Sequence, residues 1–194
     1  MEQSTAIIER CRAGDSAAFG ELFERYKNLV YRTAYLMLDE PQEAEEVLQD
    51  VFLCLFHSLP TYRPEKGAFS TWLHRVTINR CLRRRHNQGL LARLVERFGR
   101  DAQLENHAPL AEAEERQSVR RALRRLSDPL RAVIVLRYYQ RLSYAEIAQV
   151  LQISDGTVKS RLNLAHKKLR DVLQPDFPVS YSTRKVTDEL SSDS

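Results

Sequence analysis

Near the C-terminal end of the 194-residue chain, Lys159, Ser160, Asn163 and Lys167 fall, with Leu164, on one side of a helix. Lysines reach phosphates or guanine acceptors, an asparagine amide pairs bidentately with adenine, and a serine hydroxyl suits either role. The opposite side carries Val158, Leu162, Ala165 and Leu169 at i, i+4, i+7 and i+11, the stripe of a buried face. Upstream, Leu142–Leu151 opens on a capping box in which Ser143 and Glu146 satisfy each other's backbone amides. Gln152-Ile153-Ser154 then makes a short turn, with Ser154 as the cap of the next helix. Two helices across such a turn form a helix-turn-helix, whose second helix lies in the major groove of DNA. A generic amphipathic helix is also polar outside; the paired-helix pattern is what favours DNA.

Charge agrees with that chemistry once it is read along the chain. The total is 30 Lys and Arg against 26 Asp and Glu, a bland +4. Residues 1–60 carry a net −6, 61–88 a net +6, 89–118 a net −2, 119–174 a net +8 and 175–194 a net −2. Two basic blocks separated by an acidic stretch predict two polyanion-binding surfaces on a tether.

The elements that position these groups are helical. Asp15 and Ser16 follow Gly14 as a cap between a short first helix and a second one. The second places Phe19, Leu22, Phe23, Tyr26, Val30 and Leu36 or Met37 on one side. Pro41 suits the first turn of a third helix, which runs through Val47, Leu48, Val51, Phe52, Leu55 and Phe56 to about Leu59. A loop at Pro60–Gly67 precedes a fourth helix from about Ser70 to His86, with Phe69, Trp72, Leu73, Val76 and Leu82 as expected core. Periodicity fades over 88–118 after a short apolar patch, then resumes near Glu112 and runs through Leu123 and Leu126. Ser127-Asp128-Pro129 caps a further helix with Val133, Ile134, Leu136 and Tyr138. The fold class expected is all-α: two small helical bundles joined by a flexible linker. The boundaries are 1–87, a linker 88–118, a helix-turn-helix domain 119–173 and a disordered tail 174–194.

Several classes are disfavoured. No apolar run approaches the ~18 residues of a membrane span, and the N-terminus lacks the pattern of a secretory signal. Cys11, Cys54 and Cys81 are too scattered for a disulfide framework or a zinc site; Cys54 is expected in the core, Cys11 and Cys81 partly exposed. The five histidines share no metal-ligand spacing. The sequence carries no P-loop, HExxH or nucleophile elbow, so no catalytic residue, metal site, cofactor or small-molecule substrate is assigned. A cluster at Glu43, Glu45, Glu46 and Asp50 lies on one helix without converging ligands.

Four stretches together resemble the extracytoplasmic-function group of bacterial sigma factors. They are Gly14-Asp15, Ala18-Phe19, Leu22 and Tyr26; Glu43–Phe52; Phe69–Val76 with Asn79; and Leu142–Leu169. They occur in the family's order and spacing over about residues 4–87 and 112–173. The resemblance implies an initiation factor with region 2 near 16–87 and region 4 near 119–173. It implies that Glu45, Glu46, Gln49, Asp50 and Phe52 dock on the β′ clamp helices of core RNA polymerase, while region 4 meets the β flap. It implies −10 contacts from Tyr62, Ser70, Trp72, Asn79, Arg80, Arg83 and Arg84, and −35 contacts from Thr157, Lys159, Ser160, Asn163 and Lys167. Promoter DNA and an anti-sigma factor are the implied partners. The implied location is the cytoplasm, at the nucleoid when engaged or held at the membrane by a membrane-bound anti-sigma factor, without direct membrane insertion.

Asp155 stands where the family usually has proline, and Leu164 where it often has arginine. Leu164 suits a thymine methyl rather than a phosphate. Glu105, Glu112, Glu114 and Glu115 are expected to mimic nucleic-acid charge along the linker. The competing readings are a free-standing helix-turn-helix regulator, a nucleic-acid enzyme and a protein that only sequesters a regulator. The first would need a dimer face, and no heptad pattern supplies one.

Overall fold

The computed structural model describes residues 2–59, 62–63, 67–98 and 112–173, and all of its regular elements are helical. The tail 174–194, the linker residues 99–111 and Glu105 with them lie outside the described residues. Four helices build the N-terminal bundle: α1 (Glu2–Arg12), α2 (Ser16–Leu38), α3 (Pro41–Ser58) and α4 (Phe69–Phe98). Asp15 caps α2 by accepting from the Ala17 and Ala18 amides at 2.9 and 3.1 Å. Arg10 holds that carboxylate at 2.7 Å and reaches Glu21 at 2.9 Å, tying α1 to α2. Pro41 occupies the first turn of α3, where its missing N–H costs no hydrogen bond.

Leu22, Val30 and Met37 of α2, Val51 and Leu55 of α3 and Leu73 of α4 are fully buried. Each such side chain contributes about 1.5–3 kcal/mol. Phe69 is buried as expected, whereas Trp72, Val76 and Leu82 are only half-buried. The inward stripe of α4 is Leu73, Thr77, Ile78 and Cys81. Cys81 therefore has no exposure, contrary to expectation, and burial pushes its thiol up to about 12. Cys54, expected in the core, is half-buried.

α4 also outruns its expected end at His86 and continues to Phe98. Leu90, Leu91, Leu94 and Val95 keep helical spacing, and a mid-helix glycine such as Gly89 costs only about 1 kcal/mol. Between residue 87 and Phe98 the polarity changes while the helix continues.

The C-terminal bundle comprises α5 (Glu112–Arg124), α6 (Asp128–Ile134), a π-helical turn (Val135–Tyr139), α7 (Tyr144–Leu151) and α8 (Asp155–Leu173). Leu123, Leu126, Val133, Leu136, Ile147, Val158 and Leu162 fill its interior. The buried residues of both bundles join one continuous cluster. Across the seam, Arg131 is 1% exposed and donates to the Met37 carbonyl at 2.7 Å and the Leu123 carbonyl at 2.9 Å. Burial lowers its pKa to about 10, so the guanidinium stays charged at neutral pH. Gln140 donates to the Thr33 hydroxyl at 2.9 Å, fixing the π-turn to α2.

Candidate nucleic-acid interface

The helix-turn-helix forms as its local chemistry requires. Ser143 accepts from the Glu146 amide at 3.3 Å, while the Glu146 carboxylate takes the Ser143 amide at 2.8 Å and its hydroxyl at 2.7 Å. Those bonds hold the Glu146 carboxyl below its ordinary pKa. Gln152 ends α7 in the left-handed region at φ 54°, and Ser154 restarts the chain by accepting from the Thr157 amide at 3.2 Å. On α8, Val158, Leu162 and Ala165 are buried, and Lys159, Ser160, Asn163, Leu164 and Lys167 face solvent together. Thr157 is half-buried, with its hydroxyl 2.9 Å from Ser154, so it shapes the helix start rather than lying free on that face. Leu164 is 48% exposed, the one large apolar side chain in a polar row.

A second candidate surface lies on α4. Trp72, Arg75, Asn79 and Arg83 follow i, i+3, i+7 and i+11, a single stripe on the side opposite Leu73, Thr77 and Cys81. At its N-terminal end Tyr62, Arg63, Gly67, Ala68, Thr71, Trp72 and Arg75 enclose a cavity of about 280 Å³, with Gln149 of α7 completing the wall. The aromatic side of this cavity is packed ring against ring. Phe69 stacks on Trp72 at 5.7 Å, and Tyr62 meets Phe69 edge-on at 5.3 Å. The Tyr62 hydroxyl donates to the Gly67 carbonyl at 3.0 Å, across a turn that Gly67 makes at φ 137°. Tyr62 is thus a buried wall, while Ser70 is half-buried and does not line the cavity.

The basic residues that follow divide. Asn79 and Arg83 are exposed and Arg80 is half-buried. Arg84 turns to α3 instead, pairing with Glu46 and lying 3.6 Å from Glu43. Arg63, in the loop before α4, and Arg75 also line the cavity; the three-residue step from Trp72 is what puts Arg75 on the same face.

On α3, Glu45, Gln49 and Asp50 are exposed, but Phe52 is only 5% exposed and packs on Phe23 at 4.7 Å. The apolar groups that reach solvent on this helix are Leu53 and Phe56, each 63% exposed. Phe23, Lys27, Asn28, Tyr31, Glu45, Leu48 and Gln49 line a shallow cleft between α2 and α3. An acidic edge around exposed apolar side chains is the composition of a protein-docking surface.

Among the described residues, no group of three or more His, Cys, Asp or Glu side chains is placed to hold a metal ion. No described helix is long and apolar enough to cross a membrane.

These surfaces lie in stretches that match known protein families. Residues 22–90 match Sigma-70 region 2, and residues 116–169 match Sigma-70, region 4. The chain is 30% identical over 186 residues to the RNA polymerase sigma-H factor of Pseudomonas aeruginosa, covering 90% of this chain and 96% of that protein. It is 30% identical over 179 residues to the ECF RNA polymerase sigma factor SigW of Bacillus subtilis, covering 86% and 95%. Among solved structures, CnrH in complex with the cytosolic domain of CnrY superposes with a TM-score of 0.66 at 27% identity, over 89% of this chain and 97% of that one. The sigma factor RpoE bound to the anti-sigma factor NepR from Bartonella quintana shares the fold, with a TM-score of 0.68 at 19% identity over 82% and 98%.

Proposed function

The chain belongs to the sigma-70 family, in its extracytoplasmic-function group, and on that premise we propose how its surfaces select and open a promoter. It acts as the promoter-specificity subunit of bacterial RNA polymerase and contributes no catalytic group of its own. The observation that carries this reading is the α4 stripe: a half-buried tryptophan at a base-sized cavity, followed along one face by an amide and cations. A base leaving the duplex needs a flat surface and hydrogen-bonding groups, and its strand needs cations. Trp72 and Tyr62 wall the cavity, Asn79 offers donor and acceptor, and Arg63, Arg75, Arg80 and Arg83 line the strand's path. Ser70 supports the same edge, and Arg84 holds α4 against α3 through Glu46.

The −35 duplex is read by α8. Lys159 and Lys167 meet phosphates, Ser160 and Asn163 meet base edges, Leu164 meets a thymine methyl, and Thr157 fixes the helix start. Core polymerase docks on α3 through Glu45, Gln49 and Asp50, with Leu53 and Phe56 as the apolar anchors and Phe52 supporting them from inside. Region 4 meets the β flap. The region 2 bundle corresponds to 1–87 and the region 4 bundle to 119–173.

In the solved structures CnrH is in complex with the cytosolic domain of CnrY and RpoE with the anti-sigma factor NepR, which supports an anti-sigma factor as the regulator here. The chain works in the cytoplasm, released from a partner that is free or anchored in the membrane.

The test is run-off transcription with purified core polymerase and a genomic fragment library. Promoter-dependent starts that vanish with Asn79→Ala or Lys159→Ala establish the reading. A chain that ignores core yet binds duplex DNA specifically overturns it in favour of a free-standing regulator.

A further inference from the structure

Asp39 ends α2 in the left-handed region, at φ 62°, where glycine or asparagine is the ordinary residue. A carboxylate there also faces the negative end of the helix dipole. Both features work against α2, so the N-terminal bundle alone gains nothing from this charge. Its partners come from the other bundle. Arg120 reaches it at 2.6 Å and Arg124 pairs with its second oxygen, leaving the Asp39 side chain 10% exposed. Beside it, the Met37 carbonyl accepts from Arg131 at 2.7 Å and from Arg85 at 3.2 Å. Arg85 pairs in turn with Asp128 of α6. The C-terminal end of α2 is gripped by arginines, three of them from the DNA-reading bundle.

The same contact brings α7 onto α4. Gln149 closes one wall of the Trp72 cavity, its Oε1 lying 3.8 Å from where a Cβ on Gly67 would sit. His74, the next turn of α4, is 2% exposed and its Nδ1 has no hydrogen-bond partner. Such a burial belongs to a packed interface. On a promoter the two elements lie about 25 base pairs, or roughly 85 Å, apart along the duplex. A helix-turn-helix touching the −10 cavity cannot also sit on the −35 element, so the packed arrangement is not the promoter-bound one.

We propose that the arginine clasp on Asp39 and the Met37 carbonyl is a latch that keeps the C-terminal bundle over the base cavity, closing the free chain to a single-stranded −10 element. The proposal rests on the promoter-reading function above and names its regulation. Release uncovers the Trp72 wall and frees Arg120 and Arg124 for phosphates. Arg124 is 51% exposed, so salt weakens the latch. The 14 chain steps from Phe98 to Glu112 span at most about 45–50 Å. That length, added to the bundles' own dimensions, lets the released domain reach the second element.

Trp72 is the only tryptophan of the chain, so it reports the latch directly. In the full-length protein, Asp39→Asn keeps the shape of the cap but removes its charge. Arg120→Gln/Arg124→Gln releases the latch from the other side, at positions that are not buried. Each is expected to raise acrylamide quenching of Trp72 about twofold, by population shift. Each should also enlarge the radius of gyration in solution scattering, with unchanged far-ultraviolet helix content. High salt should move the wild type the same way. Variants that match the wild type in both quenching and radius overturn the latch. Run-off transcription with core polymerase keeps the two ideas separable. Normal initiation with an unmoved Trp72 sinks the latch alone; an opened Trp72 without promoter-dependent starts sinks the promoter reading alone.

Discussion

His74 on α4 lies within electrostatic reach of Glu146 on α7 across the seam: the imidazole is 2% exposed, and the Glu146 carboxylate is the charged group acting on it. Burial outweighs that attraction and holds the imidazole down at about 4. A histidine kept neutral by the fold takes up its proton on unfolding. Its stabilisation is therefore present above its ordinary value of about 6.5 and is lost as pH falls from there towards 4. At pH 5 the loss is about 2 kcal/mol. His166, also lowered by burial, adds in the same window, while Asp15 and Glu146, lowered by their hydrogen bonds, act only in more acid solution. The contribution of His74 is isolated by comparing urea midpoints of wild type and His74→Phe at pH 7 and pH 5. The variant should be the less acid-sensitive of the two.

Ser143→Ala removes one half of the capping box. The expected cost is about 1 kcal/mol, read as a lower urea midpoint at unchanged m-value. Glu146→Gln should cost less, because a neutral side chain still accepts from the Ser143 amide.

Arg131→Met removes the buried side chain that bridges the Met37 and Leu123 carbonyls, leaving Met37 to Arg85 at 3.2 Å and Leu123 to the Leu126 amide at 3.1 Å. A loss of about 3 kcal/mol is expected. Arg131→Lys should recover little, since a single ammonium does not reproduce the two-directional reach of a guanidinium. Chemical denaturation at pH 7 checks both.

Leu53→Ser acts on a mostly exposed side chain, and stability should move by less than about 0.5 kcal/mol; Phe56→Ser also removes an edge-on contact with Phe19 at 5.4 Å and should cost about 0.5–1.5 kcal/mol. For both, affinity for core polymerase should fall about tenfold or more. Fluorescence anisotropy against purified core reads the affinity. A variant that binds core as well as the wild type removes these side chains from the interface.

Lys159→Ala and Asn163→Ala should fail differently. Loss of a phosphate contact weakens binding across all sequences and lowers the salt slope by about 1. Loss of the amide costs about 1–3 kcal/mol at one base position and relaxes the preference there. Duplex binding measured over a salt series, with a library of −35 sequences, separates the two.

What could be read from the residues alone was what neighbours decide. The Asp15 cap, Pro41 at its first turn, the Ser143–Glu146 box and the Ser154 restart all depend on residues within four positions, and all form. The Val158–Leu162–Ala165 face was equally local, because one helix and its period determine it. The Asp39 clasp has no such signature, since its arginines lie 81 and 85 residues away. The inward turn of Phe52 and of Cys81 escaped for a related reason: a helix with apolar residues on more than one side does not announce which side its neighbours cover. The length of α4 was hidden by polarity. Its last turns change composition while keeping the helical period.

The π-turn at Val135–Tyr139 has a consequence for how this protein tolerates change in length. Its wider loops, with the Gln140 amide donating to Val135 and that of Leu142 to Leu136, both at 3.1 Å, hold one more residue than an α-turn would. A π-turn lets a helix take in one residue without turning what lies beyond it, so deleting a single residue there lets the backbone close to the ordinary helix with Gln140 still near Thr33. A residue added or removed within α6, where there is no such slack, instead rotates everything beyond it by about 100°. The π-turn is thus a place where the chain can shorten without re-aiming the helix-turn-helix.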